Sequence, residues 1–162
     1  MGTKAKAATA ISAAALALAA YIVPRFEGLA LDPYADVGGV LTVCYGETHG
    51  VEQRHYTPAE CKAMLQTSLA SHGADLAACM PTGLPDHVQA AVLIFGYNVG
   101  AKAFCDSTMA RKLQSGDIAG ACTELSRWTR VAGRDCRDPA AKCGGIVKRR
   151  EVERAMCEGA AR

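Results

Sequence analysis

Three oxygen-bearing side chains stand at a spacing that suits acid and base chemistry: Glu27, Asp36 and Thr42, in the pattern E-x(8)-D-x(5)-T. Two carboxyls and a hydroxyl divide such a task when one carboxyl stays protonated in a drier environment and donates to a leaving oxygen, while the other orients water. Cleavage of a glycosidic bond needs that division. Acidic residues nine apart occur in many proteins, so the spacing leaves two plainer roles open. Asp36 would then cap a turn at Gly38-Gly39, and Thr42 would be an outward strand residue.

The segment that must position the three residues reads EGLALDPYADVGGVLTVCYGETHG over 27–50. Turn formers (Asp32-Pro33, Gly38-Gly39, Gly46, Gly50) mix with β-formers (Val37, Val40, Thr42, Val43, Tyr45), which predicts a small antiparallel hairpin. Glu27 then falls where a helix meets the hairpin, with Asp36 and Thr42 on its facing parts. Beyond it the period becomes helical. Thr57-Pro58-Ala59-Glu60 is a capping box, and Cys61, Met64, Leu65 and Leu69 share a face, which predicts a helix over 58–71. Asp86 can cap a segment with Val88, Ala91, Val92, Leu93 and Phe95 that is apolar nearly all round, the expected central helix. Further helices are expected over 108–115, 117–128 and 149–158, with 134–145 as a loop.

A chain of 162 residues supplies one core. Its 18 Lys+Arg balance 16 Asp+Glu, and Lys4 and Lys6 account for the net +2, so the body is neutral and no nucleic-acid partner is indicated. Half the residues are apolar, which argues against disorder. The eight cysteines are dispersed and contain no CxxC pair, which points to disulfides in an oxidising compartment over a zinc site built with His49, His55, His72 or His87. No metal and no cofactor is expected. Eight cysteines allow 105 full pairings, and their spacing does not choose among them.

Residues 1–26 carry Lys4 and Lys6 and then run uncharged from Ala7 to Val23. That is the architecture of an export signal, with the lysines on the inner side. Those 17 residues would span roughly 26 Å as a helix, short of a hydrocarbon core of about 30 Å. Most are alanine, so little apolar area holds them in lipid. Ala17-Leu18-Ala19 fits a cleavage site, so a removed signal peptide and an uncleaved, releasable helix both remain open from these residues.

Glu27-Gly28-Leu29, Asp32-Pro33-Tyr34, Asp36, Gly39-Val40, Thr42-Val43-Cys44-Tyr45-Gly46 and Thr48 resemble the active-site region of phage-type lysozymes, the endolysins. The likeness continues in order through Phe95-Gly96-Tyr97-Asn98-Val99-Gly100, Trp128-Thr129 and Gly145-Ile146-Val147-Lys148-Arg149-Arg150-Glu151. The alanine-rich start is similar to that of the signal-anchor-release subgroup. The resemblance implies an α+β, mainly helical, lysozyme-like fold: a small β-hairpin lobe, a helical lobe and a cleft between them. It implies a muramidase acting on the β-1,4 bond between N-acetylmuramic acid and N-acetylglucosamine, with Glu27 as general acid and Asp36 and Thr42 holding the attacking water. Tyr45 and Asn98 are candidate substrate contacts, each with a packing role as the alternative. Residues 1–26 would be the anchor and 27–162 the catalytic domain. The implied partners are peptidoglycan and, through residues 7–23, the inner membrane. The chain would be a monomer, exported to the host periplasm and inactive while tethered. A lytic transglycosylase and a non-catalytic wall-binding protein are the alternatives.

One departure stands out. The family commonly has a histidine where this chain has Glu47. The expected disulfides are Cys122 with Cys157, Cys136 with Cys143, Cys44 with Cys61, and Cys79 with Cys105. Lys148, Arg149, Arg150 and Arg154 are expected to form a solvated face on the last helix.

Overall fold

The computed structural model describes residues 11–36 and 38–160. Lys4, Lys6, the first residues of the 7–23 segment and the β-former Val37 lie outside the described residues.

The fold is α+β and mainly helical, built around α3 (Asp86–Val99), whose residues from Val88 to Gly96 are all buried. Its near-continuous apolar composition is what a helix surrounded by others requires. α1 (Ala13–Ile22), α2 (Pro58–Ala77) and α7 (Gly145–Cys157) pack on it. α4 (Ala101–Cys105), α5 (Thr108–Gln114) and α6 (Ile118–Glu124) complete the helical lobe.

α1 packs one face into the main core, with Ala15 and Ala19 fully buried and Val23, just after it, fully buried as well. Its N-terminus is tied to that of α3. The Ser12 hydroxyl donates to Asp86 Oδ1 at 2.6 Å and accepts from Ala15 N, while Ser12 N donates to Gln89 Oε1 at 2.9 Å. A glycine lets the segment just before α1 approach α2: a Cβ at Gly73 would lie 2.9 Å from Ile11 Cγ1. No described helix is long and apolar enough to cross a membrane.

The hairpin pairs β1 (Ala30–Ala35) with β2 (Leu41–Cys44), matching Tyr34 with Thr42 and Ala35 with Leu41. An irregularity falls between Ala30 and Tyr34, where Pro33 has no amide to give the ladder. Val43, Cys44, Tyr56 and Cys61 form a second, small core under it. α2 obeys the expected capping box, with Glu60 Oε2 accepting from Thr57 N at 2.7 Å. It runs on to Ala77 instead of ending at 71, because Gly73 and Leu76 continue the buried stripe of Leu65 and Leu69.

The C-terminal third differs from the sequence reading in three places. The helix expected over 117–128 is α6 followed by a 3-10 turn, Leu125–Arg127. The last helix starts at Gly145, four residues early. The loop over 134–145 contains the second strand of a tiny hairpin, β3 (Arg130–Val131) with β4 (Arg134–Asp135). Its turn residues, Ala132 (φ 48°) and Gly133 (φ 79°), both take positive φ, the requirement of a tight hairpin turn that Asn-Gly would have advertised and Ala-Gly does not.

Four disulfides join Cys44 to Cys61, Cys79 to Cys105, Cys122 to Cys157 and Cys136 to Cys143, and no described cysteine is free. They tie β2 to α2, the end of α2 to α4, and α6 to α7, and they close the loop before α7. The longest, spanning 35 residues, restricts the unfolded chain most.

Candidate active site

Glu27 follows the 3-10 turn Val23–Arg25 that ends α1, its amide donating to Val23 O at 3.1 Å. It therefore sits between the core-bound first helix and the hairpin. Its Oε1 accepts from Arg149 Nη1 at 2.7 Å. The Glu27 side chain keeps 28% of its exposure, against 5% for Arg149. A carboxyl held from the protein side and open on the other can meet a substrate oxygen.

Arg149 is itself held on every side. Its Nε donates to Glu153 Oε1 at 3.1 Å, its Nη2 donates to Ile94 O at 3.3 Å, and its guanidinium stacks 4.9 Å from the Phe26 ring centre. Arg150 donates to Glu153 Oε2, to Trp128 O and to Asn98 Oδ1. Glu153 is fully buried. Burial pushes its carboxyl above the ordinary range, and the two guanidiniums pull against that shift. The expected solvated face is thus corrected: Arg149 and Arg150 are buried, because Glu153 at i+4 and i+3 offers each a carboxylate oxygen. The sequence reading missed Arg149 as a site residue. The Arg-Arg-x-x-Glu spacing puts an acid one turn from both cations and so signals their burial, but not the reach of Arg149 to Glu27.

Asp36 and Thr42 meet at the tip of the hairpin, around Val40. Asp36 Oδ1 accepts from Gly38 N at 2.8 Å and Val40 N at 2.9 Å, and Thr42 Oγ1 donates to Val40 O at 3.0 Å. Asp36 therefore caps the turn with one oxygen, and Oδ2 has no hydrogen bond among the described residues. Thr42 is buried. No hydrogen bond among the described residues links Glu27 to either. Tyr45 is half-buried and packs against both cores, its carbonyl 3.3 Å from the Tyr97 hydroxyl. Asn98 is exposed, its Oδ1 held by Arg150 at 2.5 Å.

Glu47 is buried behind the hairpin, 3.1 Å from the Tyr97 hydroxyl. Burial pushes its carboxyl up, opposed by hydrogen bonds from Ser68 and Tyr97 and by His72 and His49. Burial, with Glu47 next, also raises the Tyr97 hydroxyl. A carboxyl that titrates higher folded than unfolded gives stability that is present below its ordinary value of 4.5 and lost as pH rises through the folded value. Glu47→Gln is thus expected to melt a few degrees above the parent at pH 7, with the gap closing below about pH 4. An unchanged gap across thermal melts from pH 3 to 8 would reject burial as the cause.

Two clefts flank this framework. One of about 620 Å³ lies beside Glu47, Met64, Ser68 and His72, and one of about 640 Å³ lies against Phe26 and Arg149, next to Glu27. Among the described residues no cluster of His, Cys, Asp and Glu is placed to hold a metal.

The phage lysozyme family model matches residues 24–153. A SAR-endolysin of Bacteriophage PS119 is 40% identical over 156 residues, covering 91% of this chain and 89% of the relative. Among solved structures, the muramidase domain of SpmX from Asticaccaulis excentricus superposes with TM-score 0.75 at 23% identity, over 92% of this chain and 97% of that one. The active form of the P1 phage endolysin Lyz gives TM-score 0.72 at 23% identity, over 95% and 86%. The two structures share the fold with this chain.

Proposed function

The chain belongs to the phage lysozyme family and is a peptidoglycan-hydrolysing enzyme, and from that premise we propose that it is a muramidase cleaving the N-acetylmuramic acid to N-acetylglucosamine β-1,4 bond with Glu27 as general acid. The observation that carries this reading is the position of Glu27, fixed by buried Arg149 at one oxygen and part-exposed at the junction of α1 and the hairpin. Glu27 protonates the leaving oxygen. Asp36, whose Oδ1 is anchored to the turn, keeps Oδ2 to orient water, and Thr42 supports it from the same tip. Water adds to the anomeric carbon as the glycosidic bond breaks; its proton passes to Asp36, and the leaving oxygen keeps the proton from Glu27. Tyr45 and Asn98 are the further substrate contacts in this reading.

Products of a digest of purified sacculi test the chemistry. New reducing ends, each one water heavier than the anhydro product, are expected in mass spectra. 1,6-Anhydro ends would instead indicate a transglycosylase, and no digestion a wall-binding protein.

Residues 1–26 act as an uncleaved anchor, and 27–162 as the catalytic domain, exported to the periplasm as a monomer and inactive while tethered. The likeness to SAR-endolysins supports this, as does the weak apolarity of 7–23. Only three residues separate Val23 from Glu27, so a helix held in lipid pins the acid at the interface. Ala13, Ala14 and Ala17 are exposed in the folded chain. Changing all three to Leu strengthens membrane retention without filling the core. That variant is expected to stay in the membrane fraction and fail to lyse cells, while the parent appears in the soluble periplasm at full mass. A soluble parent starting near Ala20 would mean cleavage and end the anchor reading.

A further inference from the structure

We propose that Tyr97 is a positioning residue: its hydroxyl holds the hairpin against α3 and so keeps the water site at Asp36 and Thr42 in register with Glu27. This rests on the muramidase reading above.

Glu27 and its two helpers belong to different parts of the fold. Glu27 is fixed to the helical lobe through Arg149, which donates both to it and to Ile94 O of α3. Asp36 and Thr42 stand on the hairpin, which rests on its own small core of Val43, Cys44, Tyr56 and Cys61. Among the described residues, the only hydrogen bonds from residues 30–50 to α1, or to α3 and anything after it, are those of the Tyr97 hydroxyl.

That hydroxyl lies 3.1 Å from Glu47 Oε1 and 3.3 Å from Tyr45 O, so its one hydrogen serves two acceptors on the segment that leaves the hairpin. The ring stands edge-on to His72 of α2, with centroids 5.0 Å apart, so two helices aim the hydroxyl. Burial and the adjacent Glu47 keep it protonated, and therefore a donor, across the neutral range.

The path from there to the water site is short. Glu47 and Val43 each donate an amide to the other's carbonyl at 2.9 Å. Val43 follows Thr42, whose Oγ1 donates to Val40 O, and Val40 N donates to Asp36 Oδ1. Cys44, inside this turn, takes a left-handed φ of 60°, which a residue with a Cβ keeps only where its surroundings enforce it. Freeing Tyr97 lets that turn relax, and the hairpin tip moves with it. On the other side, Ile94 lies one helical turn from Tyr97, so a single turn of α3 braces both halves of the site. Misplacing a reacting group by about 1 Å can cost on the order of 10²-fold in rate.

The test is steady-state hydrolysis of solubilised peptidoglycan by the purified full chain, well below the melting midpoint of every variant. Tyr97→Phe keeps the ring and loses the hydroxyl; it is expected to lower kcat roughly tenfold while KM stays within about twofold. Glu47→Leu, which removes one acceptor, is expected to lower kcat in the same way, and Glu47→Gln, which keeps an oxygen there, to restore it. Tyr97→Phe with Glu47→Leu is expected to lose no more than Tyr97→Phe alone, because both break one link. A parental kcat in Tyr97→Phe, a loss confined to KM, or losses that multiply in the double variant overturn the proposal, and leave the muramidase reading intact as long as the parent releases reducing ends. A parent that releases none removes both.

Discussion

Glu27→Gln is expected to lower the rate of peptidoglycan hydrolysis on the order of 10³-fold, with the fold retained, since removing a positioned general acid typically forfeits 10²- to 10⁴-fold. The amide keeps the shape of the side chain and an oxygen for Arg149 Nη1, so packing is preserved while the transferable proton is lost. Turbidity loss of permeabilised cells, measured beside a far-ultraviolet circular dichroism spectrum, separates the two. Lysis at the parent rate would show that Glu27 does not supply the proton.

Glu153→Ala is expected to produce the largest loss of stability. Breaking a buried pair by removing one partner costs about 3–5 kcal/mol, because an uncompensated charge stays behind. Here one carboxylate faces two buried guanidiniums, Arg149 and Arg150, so both lose their partner at once. At about 2–4 °C per kcal/mol for a chain of this size, the melting midpoint is expected to fall by roughly 10 °C or more. The folded fraction is also expected to be less active, because Arg149 then no longer has the brace that aims it at Glu27. A midpoint within a degree or two of the parent would show that the cluster does not hold α7 to the active site.

The hairpin, the capped α2 and the central α3 were legible because each carries a local signal: glycine-rich turns, Thr57-Pro58-Ala59-Glu60, and an apolar run starting at Asp86. Ends and burial were less legible. α2 outran its expected length because Gly73 and Leu76 complete a stripe whose value depends on α1 and α3 lying over it. Arg149 and Arg150 read as a solvated run because charge is ordinarily exposed, and only a third residue, Glu153, reverses that. The place of α1 in the core was hidden for a different reason: an alanine-rich helix suits lipid and close helix packing alike, and its docking depends on distant Asp86 and Gln89. At the site, the turn-capping role of Asp36 was foreseen as one of its two readings, whereas the Arg149 contact to Glu27 spans 122 positions and has no local signature.

The stereochemistry of the first product formed bears most directly on the division of labour between Glu27 and a water held at the hairpin tip. A proton donor on one face and a carboxylate-bound water on the other, separated by roughly 6.5–9.5 Å, invert the anomeric centre. Proton NMR of a fresh digest, followed before the sugar mutarotates, is expected to show the α-anomer appearing first. The β-anomer appearing first would mean direct attack by a carboxylate, and would contradict a water oriented by Asp36 and Thr42.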